Sequence, residues 1–363
     1  MNLQPLIRTY VVPASVFQGG IVGGAYGTGR EVVEYVSRHG PLGGFLACLV
    51  IGLSFSVILA TGFAFAQRFQ IRNYRHFLKM LLGRAWLIYE ALFILLLIVV
   101  LAVVGSAAGE MFKEHLGFPY WAGVGLVFGV VVVLGFGGRH RVEQSLVVWT
   151  IALMFCLFVL IGYVMFSEIS TIKQNLPRPS DFSGAAVSGL QFSLYNSALV
   201  PVLIYCTAGI NTQQQAIISG VVAGVFGAIP ALLLHITFIA YYPTIVQEAL
   251  PVYALLQTLN HQFPINIYFI ILSGTIILTA VGVLQGVSER VDGLRFDGGN
   301  QPLSRMSRAL IAGGLLLVSI ALSKFGIVAL VAQGYGNLAW AFFAVFTFPL
   351  LTLGMSKLLR SNT

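Results

Sequence analysis

Long apolar runs separated by short polar stretches make up almost the whole chain. Crossing ~30 Å of hydrocarbon takes about 20 helical residues. Read against a window of about 19 residues, the pattern predicts ten spans, at 9–37, 41–66, 84–112, 119–137, 142–166, 184–207, 214–240, 264–288, 306–325 and 328–356. The expected fold class is all-α integral membrane.

Two connections carry patterns of their own. The stretch 68–82 (RFQIRNYRHFLKMLL) places apolar residues at helical spacing opposite a basic face, which predicts a helix lying along the membrane surface. The stretch 241–263, punctuated by Pro243 and Pro251 and followed by Pro264, predicts an outer loop with short helices.

Composition sharpens this picture. Hydrophobic residues make up 58% of the 363 and charged ones 9%, whereas soluble domains carry about 25% charged residues. Such a chain cannot cover a water-facing surface. The net charge of +8 comes with no basic stripe interleaved with aromatics, so nucleic acid is not an expected partner; membrane lipid is. Counting basic residues on alternate sides gives 14 on the side of Arg8, Arg68, Arg139, Arg290 and Lys357, against six (Arg30, Arg38, Lys113, Lys173, Arg178, Lys324). The positive-inside rule then puts both termini in the cytoplasm, and the expected location is the inner membrane of a prokaryote. Arg8 precedes the first apolar stretch without a cleavage-site pattern, so no signal peptide is expected. Cys48, Cys156 and Cys206 lie in or at the end of apolar segments without metal-ligand spacing and read as packing residues.

Two spans are interrupted. Span 1 contains Gly19, Gly20, Gly23, Gly24, Gly27 and Gly29 in QGGIVGGAYGTGRE, and span 6 contains Tyr195, Asn196 and Ser197 ahead of Pro201. The interruptions lie about 175 residues apart and the following spans keep that offset, which predicts two five-helix repeats, 1–166 and 184–358, joined by an outer loop at 167–183 and followed by a tail at 359–363. An odd number of spans inverts the second copy, and interrupted helices at matching places of inverted halves mark a mid-membrane binding site. Glycines at Gly19/Gly23 and Gly20/Gly24 also serve helix packing; the pairing with span 6 favours the broken-helix reading.

At QGGIVGGAYGTGREVVEYVSRHGPLGGF the chain resembles the YkvI-type bacterial membrane proteins, a branch of the amino acid–polyamine–cation superfamily with the LeuT fold. The resemblance implies a five-plus-five inverted repeat in which spans 1 and 6 unwind around a small solute, and a bundle of spans 1, 2, 6 and 7 moves against a scaffold of 3, 4, 8 and 9. It also implies a sodium site made by span 1 carbonyls, here those of Gly20 and Gly23, with adjacent hydroxyl residues of span 8. Thr279 matches the first hydroxyl, Ala280 stands where the second belongs, and Thr275 lies one turn away. Sodium coupling, proton coupling and facilitated exchange therefore all stay open.

The residues themselves suggest a site. Breaking a helix frees backbone groups that hydrocarbon cannot satisfy, and glycine lets a ligand approach. Free N–H groups at Gly20, Gly23 and Gly24, at a positive helix end, suit a carboxylate, with Tyr26 close by. Span 6 supplies Phe192, Tyr195, Asn196 and Ser197, and Ser106 with its small neighbours Gly105 and Gly109 leaves room from span 3. Charges inside a membrane are functional and usually paired; Arg30 and Glu31 follow the break by about seven residues, and Glu110 of span 3 is the expected partner of Arg30 in an outer gate. Glu90 reads as a carboxylate snorkelling or paired with a cytoplasmic arginine, and His235 as a hydrogen-bonded structural histidine.

A secondary transporter of a small polar organic solute, an amino acid or related zwitterion, is the leading function, with an ion channel or an uncoupled facilitator or exchanger as the alternative. No filter-like repeat, no nucleophile–base or zinc motif and no phosphate-binding Walker motif occurs, so an enzyme or ATP-driven pump is not expected. No cofactor is expected beyond Na+ as a candidate coupling ion.

Overall fold

The computed structural model describes residues 4–135, 139–259, 261–297, 299 and 301–360. The last three residues of the expected tail, 361–363, lie outside these, as do 136–138 at the junction of spans 4 and 5. Every described element is a helix, as a chain surrounded by hydrocarbon requires, because a helix bonds its own backbone groups. Span numbers are kept below for the helices that occupy them.

Seven helical stretches among the described residues are long and apolar enough to cross a membrane, and the bent pair Phe182–Leu199 with Pro201–Gly209 makes an eighth. The other two expected spans fall short for visible reasons. Span 4 is the apolar helix Tyr120–Gly135 of 16 residues, about 24 Å at 1.5 Å per residue. Span 1 is cut into pieces.

The surface helix predicted over 68–82 begins later, at Tyr74, and runs to Leu82. Span 2 itself continues to Arg68. Asn73 caps the surface helix by accepting a bond from the Arg75 N–H, and Phe77, Leu78 and Leu81 bury its inner face. The loop 241–263 holds two short helices, Thr244–Gln247 and Pro251–Thr258. A capping box of Thr212 and Gln215 starts span 7, Gln213–Ile239, by satisfying N–H groups that the helix start leaves bare.

Spans 2 and 7 pack backbone to backbone. A Cβ on Gly220 would lie 2.3 Å from the Ala60 nitrogen, and one on Gly224 2.3 Å from the Ser56 nitrogen. Small residues four apart allow this approach, and close van der Waals packing is what holds helices together where no hydrophobic effect operates between them. The contact ties spans 2 and 7 into one body. Gly44 of span 2 makes room for the ring of His235, whose Nε2 bonds the Pro41 carbonyl at 2.8 Å and Nδ1 the Ser37 hydroxyl at 2.9 Å. His235 is a hydrogen-bonded packing residue of span 7.

Replacing Gly224 with leucine forces the two backbones apart. Overpacking of this kind costs about 1–3 kcal/mol or more, so the purified variant should unfold at lower temperature or fail to fold, whereas leucine at Gly125, which has nothing within 4 Å of its Cβ position, should be nearly neutral.

Candidate functional site

Span 1 is interrupted twice. Its first helix, Val12–Ile21, ends at Val22, whose ψ of 91° is extended, and Gly23 is extended as well. One helical turn, Gly24–Gly27, follows; Gly29 then takes a φ of 81°, where glycine alone is at ease, and Arg30–Tyr35 resumes the helix. The second interruption was not foreseen. Arg30 and Glu31 therefore do not sit on one continuous helix running from the break, as the spacing suggested.

Each interruption frees backbone groups, and other elements take them up. The Gly24 N–H donates to Thr279 Oγ1 of span 8 at 3.1 Å. The Gly27 carbonyl accepts from the Tyr268 hydroxyl at 2.7 Å, and the Thr28 carbonyl accepts from the Val252 N–H of the outer loop at 3.1 Å. Thr28 Oγ1 bonds the Ala25 carbonyl at 2.7 Å and accepts from the Arg30 N–H at 3.1 Å, so one side chain closes the short turn and starts the next helix.

The span 6 helix runs to Asn196 and yields to tighter turns, with a 70° bend between Phe182–Leu199 and Pro201–Gly209. The Ala198 carbonyl accepts from the Tyr89 hydroxyl of span 3 at 2.5 Å. The two interruptions meet: a Cβ on Gly20 would touch Leu199 at 3.2 Å, and Tyr195 Oη donates to Glu31 Oε2 at 2.5 Å. Tyr195 stacks on Tyr335 of the last span at 4.8 Å between ring centroids, and Phe192 packs edge-on against Tyr35 and Tyr195. Tyr35 in turn donates to the Val331 carbonyl at 2.7 Å. The Tyr26 hydroxyl is buried beside this cluster without a hydrogen-bond partner.

Several expected residues are turned elsewhere. Ser106 accepts from the Tyr120 hydroxyl of span 4 at 2.9 Å, while Gly105 and Gly109 lie under the rings of Phe128 and Tyr120; this small-residue face serves contact with span 4 and opens no room beside the break. Asn196 bonds the Phe192 carbonyl of its own helix, and Ser197 bonds the Leu194 carbonyl and Thr347. The Thr275 hydroxyl is taken by the Ile271 carbonyl of its own helix at 2.8 Å. Of the two span 8 threonines, Thr279 is the one that meets span 1.

The expected Arg30–Glu110 pair does not form. Arg30 donates to Glu34 Oε2 at 2.6 Å and to the carbonyls of Val246 and Glu248 at 3.0 and 2.9 Å, and Glu110 pairs with Lys113 at 3.5 Å. Both terminal nitrogens of Arg30 are turned to its own helix and to the loop 241–263, away from span 3. Glu34, missed in the sequence, also pairs with Arg38. The signal was legible: Arg30, Glu34 and Arg38 stand four apart, the spacing at which helical side chains meet. Near the opposite end of the molecule, Glu90 pairs with Arg290 at 2.7 Å, whose guanidinium lies over the Phe93 ring at 3.8 Å.

Burial is uneven around the break. Every residue from Gly24 to Ser37 is buried, while Gly19 and Gly20, just before the break, are exposed. The buried stretch lies under the loop 241–263, which holds Arg30 and the Thr28 carbonyl.

Comparison with known proteins fits this geometry. The chain is 26% identical over 285 residues to the uncharacterized membrane protein YkvI of Bacillus subtilis (strain 168), covering 77% of this chain and 80% of that one. No protein-family model matches. A Na+-coupled sialic acid symporter in a substrate-bound outward-open state matches with a TM-score of 0.52 at 14% identity, covering 96% of this chain and 87% of the symporter. A mutant of the manganese transporter of Eremococcus coleocola matches with a TM-score of 0.55 at 12% identity over 97% of this chain and 80% of the transporter. The fold is that of membrane transporters. These structures are not of enzymes, and the chain is a membrane protein of multiple apolar helices.

The pairing is testable in a double-mutant cycle. Neutralising Arg30 and Glu34 singly and together should reveal a coupling of about 1–3 kcal/mol in unfolding free energy, while Arg30 and Glu110 should be additive.

Proposed function

We propose that this protein is a secondary transporter that carries a small polar organic solute, an amino acid or related zwitterion, across the inner membrane of a prokaryote by alternating access. The observation that carries the reading is the meeting of two interrupted helices, span 1 at Val22–Gly23 and span 6 at 197–200, beside the unpartnered Tyr26 hydroxyl. Interrupted backbone at membrane depth is tolerated where it lines a site. In this reading the ten spans form two inverted repeats of five, with both termini cytoplasmic.

The solute site is built from the backbone of Gly20, Gly23 and Gly24, from Tyr26, and from Phe192 and Tyr195; Asn196 and Ser197 would join by turning from the Phe192 and Leu194 carbonyls. A cation site for Na+ takes the carbonyls of Gly20 and Gly23 with Thr279, whose hydroxyl already reaches the break; Thr275 would join by turning its hydroxyl from Ile271. The fold shared with a Na+-coupled symporter supports a cation there, and Ala280 in place of a second hydroxyl weakens the cage. The buried fork Arg30–Glu34 and its loop carbonyls form the outer gate, and Glu90–Arg290 is its counterpart on the other side. Opening and closing then exchange one seal for the other.

A thermal-shift screen of amino acids and related zwitterions, with and without sodium, tests the reading, since a ligand that binds the folded state raises its apparent stability. At least one zwitterion should stabilise the wild-type protein and not the Gly23→Val variant. Position 23 suits this test because a Cβ there meets only Thr279, at 3.6 Å, whereas one on Gly24 would press into the Ile276 backbone at 2.7 Å and disturb folding. No stabilisation by any such solute would count against the function. Thr279→Ala should abolish any sodium-dependent stabilisation; an unchanged sodium response would remove Thr279 from the cation site.

A further inference from the structure

Glu31 is the acid that the two gates do not use. It is 5% exposed, and its surroundings are aromatic: Tyr26 at 1%, Tyr35 at 2%, Tyr195 at 4% and Tyr335 at 2%. The buried Arg30 and Glu34 pair with each other, and the exposed Arg38 also pairs with Glu34; Glu31, buried beside them in the chain, receives a single hydroxyl, that of Tyr195. Among the described residues no Lys, Arg or His pairs with it. Taking an ionised carboxylate out of water costs several kcal/mol unless a cation and further hydrogen bonds repay it, and one phenol does not. A bound proton removes that cost and needs no room.

The groups that face Glu31 come from three elements. Span 1 itself brings Tyr26 and Tyr35, with Arg30 adjacent in the chain and Glu34 by Tyr35, span 6 brings Tyr195, and the last span brings Tyr335. Cys48 of span 2 lies by Tyr26. The Arg30 guanidinium is committed to Glu34 and to two loop carbonyls, and His235 of span 7 is bonded to Ser37 and Pro41. No ion pair reaches Glu31, so a bound proton is what neutralises its carboxyl.

We propose that Glu31 is a proton-binding site that must be filled for the outer side of the protein to shut. When the outer side opens, the proton leaves to water and the carboxylate is hydrated; for the loop helix Pro251–Thr258 to close again over Thr28, a proton must return to Glu31 and the Tyr195 hydroxyl must re-form its bond to the neutral carboxyl. Acid outside therefore favours the shut form. The inference rests on the alternating-access reading above and assigns the proton, apart from any sodium at Thr279, a place in its cycle.

Two measurements on the protein in phosphatidylethanolamine–phosphatidylglycerol vesicles test it, and neither needs a transported solute. Infrared spectroscopy at neutral pH should detect the carbonyl band of a protonated carboxyl that is lost in Glu31→Gln and kept in Glu110→Gln. Absence of the band, or its persistence in Glu31→Gln, overturns the proposal. For closure, the reporter is Val252→Cys, at a position that is fully buried and bonded to Thr28 when the outer side is shut. At alkaline pH a membrane-impermeant maleimide should label it at least about tenfold faster with Glu31 present than with Glu31→Gln, the factor that corresponds to one pKa unit. Equal rates overturn the linkage between protonation and closure. If Val252→Cys does not fold, Leu250→Cys, also buried in the same loop, takes its place. A failed solute screen would sink the transporter reading while leaving both results interpretable.

Discussion

A helix that breaks in apolar surroundings must find partners for the backbone groups it releases, and the architecture around spans 1 and 6 is organised by that constraint. The Gly24 N–H goes to Thr279, the Gly27 carbonyl to Tyr268, the Thr28 carbonyl to Val252 and the Ala198 carbonyl to Tyr89. Three of these partners sit on spans 8 and 3, outside the pair that is broken. The breaks are thus clamped to the helices around them, and each clamp is a small polar contact rather than a large apolar one. Contacts of this kind can be exchanged for others at modest cost, which is what a moving part requires.

The bulk of the packing is of the opposite character. Spans 2 and 7 meet so closely at Gly220 and Gly224 that no side chain fits between them, and the small face of span 3 is filled by rings from span 4. These interfaces are interdigitated and resist sliding. Close packing reaches the broken helices too, at Gly24 against Ile276 and at Gly189 against Ala47, and hydrogen bonds supplement it only at the breaks themselves.

Charge is handled with similar economy. Arg30 and Arg38 share the Glu34 carboxylate at four-residue spacing, and Arg290 serves Glu90 while lying on two aromatic rings, those of Phe93 and Tyr74. Each cluster sits near one end of the bundle and ties span 1 or span 3 to a distant segment. Glu31 stands apart between them, held by a phenol alone. A buried acid without a cation is tolerated where its neutral form has a use.

The sequence by itself determined the membrane environment, the positions of the helices, the presence of a helix after span 2, the first break of span 1 and that of span 6, because each is written in local composition: apolar length, a basic amphipathic face, a run of glycines, a polar cluster ahead of Pro201. It also held the Arg30–Glu34–Arg38 spacing, which brings these side chains together on their own helical segment. What only the tertiary structure decided is which side chains meet across helices. Ser106 turns to Tyr120, Glu110 to Lys113 and Thr275 to its own helix, whereas Thr279 faces the break and Tyr195 reaches Glu31. The reason is geometric: successive residues on a helix are about 100° apart, so a small change in how a helix is rotated against its neighbours exchanges one facing residue for another, and in spans apolar on every side no hydrophobic stripe records that rotation.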